Sequence, residues 1–282
     1  LWHTINNGTT FTPILDSSDT QNVGDIAVHW PTRTIYVGTG ENNASRSSYA
    51  GIGILKSTDN GKSWTNLGLM DAHHFAPILI HPDNPDVVVV GATGHLYSPN
   101  EERGVYKTTD GGKTWKQTLF VDDMSGIIDL QSSPENYNVM YATSWTKDRK
   151  AWNFTGNGNN SGIYKSTDAG ENWVKVSTKD SGFPTGDGVG RIGVAVFNDN
   201  ILYAVHDSQF RRPDEKKKSK RRGLTKDDFK TMSNTDFLAL EDKKLNGFLK
   251  TNGFQEKYRA ESVKKMVKSG SVKPIDLAKY LE

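Results

Sequence analysis

The chain has 282 residues, enough for one large or two ordinary domains with a substantial core. Only 34 % of it is hydrophobic, with 10 % aromatic residues and 27 glycines, which argues against a helical bundle and for a β-rich, turn-rich fold. No cysteine is present, excluding disulfides and thiolate metal sites; no apolar run reaches membrane-spanning length, and the net charge of +2 hides a basic cluster at 211–222.

The sequence starts at Leu1 rather than Met, without a visible signal peptide, so the true N-terminus is expected to lie upstream. Two strand-like runs, LWHTI and TFTPI, open the chain around TINNGTTF. A first set of four strands follows, GDIAVHW, TIYVGT, GIGILKS and SWTNLGL. A second set reads FAPILIH, DVVVVGA, RGVYKTT and TWKQTLF, and a third GIIDLQS, NVMYATS, SGIYKST and NWVKVST. Each run is rich in Val, Ile, Tyr or Thr and is bounded by Gly, Pro, Asn or Asp. RIGVAVF and ILYAVHD begin a fourth set, after which the pattern stops.

Between the third and fourth strands of each set a nine-residue pattern returns: KSTDNGKSW at 56–64, KTTDGGKTW at 107–115 and KSTDAGENW at 165–173. Its aspartates, Asp59, Asp110 and Asp168, stand 51 and 58 positions apart, the period of propeller blades. In the opening segment Asn6, Gly8 and Phe11 occupy the positions of Asp, Gly and Trp, a degenerate fourth copy. Repetition argues for architecture, because separate active sites rarely recur along one chain. Ser57, Thr108 and Ser166 open the boxes. The Asp accepts N–H bonds across the hairpin, Gly61, Gly112 and Gly170 admit positive φ, and Trp64, Trp115 and Trp173 bury their rings against a neighbouring blade.

The expected fold is therefore all-β: a β-propeller of four-stranded antiparallel blades with box hairpins. Residues 1–210 carry a half blade, three full blades and the start of a fourth. That count implies part of a larger propeller, completed by further blades in the same polypeptide or a separate chain. The alternative is a short ring sealed by the terminal half-blades. From Pro213 the composition changes: 211–223 reads as a basic, solvated linker, and 224–282 as a small α-helical insertion. Thr225 and Thr235 are expected N-caps, Gly253 and Gly270 expected stops, and NTDFLALEDKKLNGFLKTNG one helical stretch. No aromatic residues interleave with the basic run, so no nucleic-acid partner is expected.

In a four-stranded meander, loops entering the first strands share a face with loops joining second to third strands, opposite the boxes. That face is long-looped and chemically rich, so binding is expected there. Loop 40–51 offers Glu41 and Asn42; loop 94–104 offers His95 and Arg103; loop 144–162 offers Trp145, Arg149 and Trp152. The entering loops add His73, His74, Asp123 and Arg191. Aromatic residues beside Asn, Asp and Arg suit glycan or polypeptide. Each has a plainer reading: His73 and His74 as packing rather than metal ligands, Asp122–Asp123 as turn formers, the tryptophans as inter-loop packing, Arg191 as a structural ion pair. No metal and no cofactor is expected.

The S/T-x-D-x-G-x-x-W boxes at blade spacing resemble the Asp-box (BNR-repeat) propellers. These include sialidases, sortilin-type (Vps10-like) receptors and two-propeller xyloglucan-cleaving glycosidases. VGTGEN (37–42), HPDNPD (81–86), GHLYSPNEERGVYKTTDGGKTW (94–115) and GVGRIGVAV (188–196) make the likeness strongest to bacterial sortilin-like proteins often labelled glycosyl hydrolase. The resemblance implies a binding module in a secreted, periplasmic or surface-exposed bacterial protein, or alternatively a glycoside hydrolase. For the hydrolase, the glycosidases place a catalytic Asp after a second strand, where YVGTGEN here offers Glu41; no second carboxylate can be assigned. The arginine triad and Tyr nucleophile of sialidases cannot be placed.

Overall fold

The computed structural model describes residues 1–210 and 223–281, in two compact units that divide near residue 211. The basic run at 211–222 lies outside the described residues. Among the described residues no helix is long and apolar enough to cross a membrane.

The first unit is a β-propeller segment. It opens on a two-stranded hairpin, β1 (Trp2–His3) with β2 (Thr12–Pro13). Three four-stranded antiparallel blades follow. Blade 1 consists of β3 (Val23–His29), β4 (Thr34–Thr39), β5 (Ile54–Ser57) and β6 (Thr65–Asn66). Blade 2 consists of β7 (Phe75–His81), β8 (Asn84–Ala92), β9 (Gly104–Thr108) and β10 (Lys116–Leu119). Blade 3 begins with β11 (Ser125–Ser132) and β12 (Met140–Thr146). A small hairpin, β13 (Asp148–Arg149) with β14 (Phe154–Thr155), then interrupts it before β15 (Gly162–Ser166) and β16 (Val174–Lys175) complete it. This hairpin falls inside what the sequence presents as a plain loop. The two-stranded sheet of β17 (Val189–Asn198) and β18 (Ile201–Ser208) starts a fourth blade.

Successive blades pack through their first two strands, with apolar side chains alternating between the two faces of each sheet. Tyr36, Phe75, Ile78, Val88 and Val90 form the core between blades 1 and 2; Val89, Ile127, Leu130 and Met140 form it between blades 2 and 3. Tyr141, Ile192 and Val194 continue it to the fourth sheet.

The boxes hold the outer corners. Asp59 Oδ1 accepts from the backbone N–H of Lys62 at 3.0 Å and Ser63 at 2.9 Å. Asp110 accepts from Thr114 N at 3.0 Å, and Asp168 from Glu171 N at 3.1 Å and Asn172 N at 2.9 Å. The Ser57, Thr108 and Ser166 hydroxyls donate to the same carboxylates at 2.8 Å and accept from Gly61, Gly112 and Gly170 N–H. Those glycines have φ of 84°, 92° and 80°, which a side chain would strain. The hydrogen bonds favour the ionised carboxylate, so the pKa values of Asp59 and Asp168 fall to about 2, and that of Asp110 lies below the ordinary range. Each tryptophan bonds to main chain or to the preceding blade: Trp64 Nε1 to Ile14 O, Trp115 Nε1 to Leu67 O, and Trp173 Nε1 to Gly170 O and Thr118 Oγ1. The degenerate copy works alike, with Asn6 Oδ1 accepting from Thr10 N and Thr4 Oγ1 accepting from Gly8 N.

The second unit is helical: α1 (Lys226–Lys230), α2 (Asn234–Leu238), α3 (Asp242–Thr251), α4 (Ala260–Lys268) and α5 (Pro274–Lys279). Phe229, Phe237, Leu245, Phe248, Leu249, Val263 and Leu277 fill its core. Thr225 caps α1 in a capping box with Asp228. Two expectations are corrected here. Thr235 is not a cap: Ser233 takes that role, accepting from Asp236 N at 3.1 Å. The single stretch splits into α2 and α3 because Glu241 is extended and starts the second helix.

Candidate functional site

Opposite the boxes, the long loops of the three complete blades meet. Arg149, in β13, donates through Nε and Nη2 to Ala44 O in blade 1, at 3.2 and 2.8 Å. Tyr97 Oη donates to Arg46 O at 2.7 Å, tying blade 2 to the same loop. Lys147 Nζ donates to His95 O at 2.7 Å, tying blade 3 to blade 2. Ala44, Leu96, Ile128 and Trp145 form a small apolar cluster beneath these bonds.

Blade 2 presents its histidines here. His73 follows a 3₁₀ turn (Met70–Ala72) and adopts φ 57° with ψ −44°, a strained backbone whose carbonyl accepts from Gly51 N at 2.7 Å. Its ring stacks on that of His95, with centroids 3.9 Å apart. His74 is buried and faces the Glu41 backbone; burial, then the charge of Lys147, lowers its pKa to about 4 and keeps it neutral. His95 Nδ1 lies 2.8 Å from Ser98 Oγ.

Arg103 is buried and donates to the carbonyls of Thr93, His95 and Ser98 at 2.7–3.0 Å, moulding loop 94–104 around its guanidinium. Burial lowers its pKa to about 10. Lys147 is also buried, and desolvation followed by the charges of Arg103 and Arg149 lowers its pKa to about 7. Asn100 ties the region together: its Oδ1 accepts from His95 N, and its Nδ2 donates to Asp71 O and Glu102 Oε2.

The sequence candidates thus divide. His73, His74, His95 and Arg103 come together through direct contacts, and Trp145 and Arg149 join the same loops through Ala44. Within that group Arg103, His74 and Trp145 are interior: Trp145 is buried, donates Nε1–H to Gly156 O at 2.8 Å and meets Phe154 edge-on. For Arg103 and Trp145 the geometry is that of loop packing. Arg191 lies 5.7 Å from the Trp145 ring as a cation–π partner, and among the described residues it forms no ion pair. Glu41 and Asn42 are half-buried at the loop base, and Asp123 is exposed, with its carbonyl accepting from Asn100 N. Trp152 stands apart at the tip of the β13–β14 hairpin, 85 % exposed. Asp122 forms a turn, accepting from Met124 N at 2.7 Å and from Ser125 Oγ and Asn160 Nδ2. Lys147 and Asn100 were absent from the candidate set. Lys147 directly follows β12, a strand buried from Met140 to Trp145, and that run of apolar and small residues is the signal that could have singled it out. Among the described residues no group of three His, Asp or Glu is placed to hold a metal ion.

Exposed aromatic residues stud this surface, at least one per blade: Tyr49 in loop 40–51, Tyr97 in loop 94–104, and Trp152 with Phe154 on the β13–β14 hairpin. The Arg149 guanidinium lies 3.8 Å from the Phe154 ring centre and holds it in place.

A family profile described as Sortilin, neurotensin receptor 3 (Sortilin-Vps10) matches residues 53–256. No curated protein matches the sequence. Similar solved structures include an ancestral GH74 enzyme, at 19 % identity and a TM-score of 0.46, covering 73 % of this chain and 27 % of that one. The GH74 enzyme of Niastella koreensis shows 20 % identity, a TM-score of 0.42, and coverage of 67 % and 27 %. The GH74 xyloglucanase from Xanthomonas campestris shows 15 %, 0.43, and coverage of 68 % and 28 %. The chain therefore spans just over a quarter of the length of these structures.

Proposed function

The chain belongs to the Sortilin-Vps10 family, and from that premise we propose that its propeller segment is a binding module that takes a glycan across the loop face. The observation that carries this reading is the set of exposed aromatic side chains on the long loops of all three complete blades. Trp and Tyr present a flat apolar ring with a polar edge, which suits the alternating CH faces and hydroxyls of a sugar chain. The supporting layer is rigid, because Arg103, Lys147, Arg149 and Asn100 bond to carbonyls of neighbouring loops. Tyr97, bonded to Arg46 O, and Phe154, under Arg149, are thereby preorganised, which limits the entropy lost on binding. A ligand of this class places the module in the bacterial cell envelope or beyond it.

Isothermal titration of the protein against a panel of soluble polysaccharides tests the proposal. Binding to at least one, weakened about tenfold in Trp152→Ala and retained in Asp110→Ala, is the expected result. Binding that survives both Trp152→Ala and Tyr97→Ala unchanged would overturn it, as would binding of extended polypeptides alone. Hydrolysis of a bound polysaccharide that disappears in Glu41→Gln would instead establish the glycosidase reading.

A further inference from the structure

The hub beneath the loop face holds more positive charge than its neighbours balance. Arg103 and Lys147, only 1 % and 2 % exposed, donate to one shared carbonyl, that of His95, through Nη2 at 2.9 Å and Nζ at 2.7 Å. Arg103 has the Thr93 and Ser98 carbonyls besides. The Lys147 ammonium carries three donors, yet among the described residues it bonds to His95 O alone. Neither cation is in an ion pair among the described residues, because the nearby carboxylates are engaged elsewhere or face solvent. Asp148 pairs with Lys150 at 3.0 Å, Asp122 accepts from Met124 N, Ser125 Oγ and Asn160 Nδ2, and Glu102 accepts from Asn100 Nδ2. Asp71 and Asp123 are exposed.

Unpartnered nitrogen concentrates at the same place. Among the described residues four buried side-chain polar atoms lack a hydrogen-bond partner, and three of them are His74 Nδ1, His95 Nε2 and Arg103 Nε. His95 Nδ1 lies 2.8 Å from Ser98 Oγ. With that hydroxyl donating, the ring proton sits on Nε2 and makes it a buried donor without an acceptor. Buried charges are ordinarily paired, since taking a lone ion out of water is costly. Lys147 registers the imbalance: burial, then the charges of Arg103 and Arg149, bring its pKa down to about 7. Positive charge and donors are in excess, so the missing complement is an anion.

We propose that this hub is an anion site for one small monovalent halide, chloride, held by Lys147 Nζ and His95 Nε2–H. Burial selects this class of ion. A carboxylate or phosphate on a larger ligand would have to pass side chains that are almost wholly enclosed, whereas a halide needs about the room of one water molecule. His73 and His95, stacked at 3.9 Å, are the half-buried members and lie toward solvent. The bound ion keeps Lys147 charged, so its pKa near 7 belongs to the halide-free protein. Because Lys147 ties blade 3 to blade 2 through His95 O, the ion braces the two loops that carry Tyr97 and Trp152. This inference does not rest on the glycan: glycan binding could fail its test while halide binding stands.

Thermal melting of the native protein in mixtures of sodium chloride and sodium gluconate at fixed ionic strength tests the proposal, below pH 7 where Lys147 is charged. The wild-type melting temperature should climb saturably with chloride, by about 2–4 °C once chloride exceeds its Kd about fivefold. Bromide should substitute for chloride, and Lys147→Met should respond to neither. A melting temperature independent of chloride, or a saturable rise of the same size in Lys147→Met, would overturn the proposal and leave ordered water as the partner of these nitrogens. Wild-type crystals grown in bromide keep the test independent of whether the variant folds. An anomalous peak within hydrogen-bond reach of Lys147 Nζ supports the site, and no peak there overturns it.

Discussion

At the box end of each blade, Asp59, Asp110 and Asp168 take their hydrogen bonds from residues no more than four positions away. At the loop end, Lys147 reaches His95 and Arg149 reaches Ala44 across more than fifty residues of chain. One end is closed by local chemistry repeated three times, the other by contacts that exist only once the blades have packed. Damage at the box end should thus cost stability evenly, whereas damage at the loop end should reach binding too.

The largest expected effect comes from Arg103→Met. It deletes a buried cation and leaves the carbonyls of Thr93, His95 and Ser98 without their donor. Leaving buried acceptors without a donor costs about 1–3 kcal/mol each, read as a lower urea midpoint, and should abolish glycan binding because loop 94–104 loses its shape. Unchanged stability would show that the loop is held by something else.

Asp110→Ala comes next. It frees the Thr114 N–H and the Thr108 and Thr114 hydroxyls at an exposed turn. The melting temperature should fall by a few degrees with glycan affinity intact; lost affinity at full stability would contradict the structural role of the boxes. The same carboxylates predict acid sensitivity. Asp59 and Asp168 have folded-state pKa values of about 2 against an ordinary 3.8, so their stabilisation is present above about pH 4 and is lost as pH falls toward 2. Replacing both by Asn should flatten that part of the stability profile.

The loop end responds at the other side of neutrality. Lys147 has a folded-state pKa of about 7 against 10.5 ordinarily, so between those values the unfolded chain binds more protons. Stability should rise with pH across that window, and Lys147→Met should remove the rise. A profile identical in the two proteins would mean that Lys147 is hydrated.

Trp152→Ala has the smallest expected effect on folding, within about 0.5 kcal/mol for an exposed side chain. Paired with Asp110→Ala it separates the two ends most cleanly, since one should spare folding and lower affinity while the other does the reverse.

Much of this was legible in the residues. The box period places three blades, and strand runs such as TIYVGT and NVMYATS carry their own β-propensity and boundaries. Gly253 and Gly270 both take positive φ just beyond helices α3 and α4. What escaped was either short or contextual. The β13–β14 hairpin pairs only two residues per strand and has no periodicity to detect. Ser233 outcompetes Thr235 as a cap through two bonds with Asp236, and the break at Glu241 depends on how α2 and α3 share a core. At the site, the sequence could group residues by loop but could not tell that Arg103 turns inward while Trp152 points to solvent.

The sequence by itself determined the repeating unit, its strand order and the chemistry of its corners, because those rest on bonds between near neighbours. Only the tertiary structure decided which loop residues became scaffold and which stayed exposed, and which sheet face was left uncovered. Both outcomes depend on desolvation and on acceptors brought from distant segments: the Tyr36 hydroxyl reaches Pro85 O in blade 2 and its ring is buried, while Tyr203 is 67 % exposed.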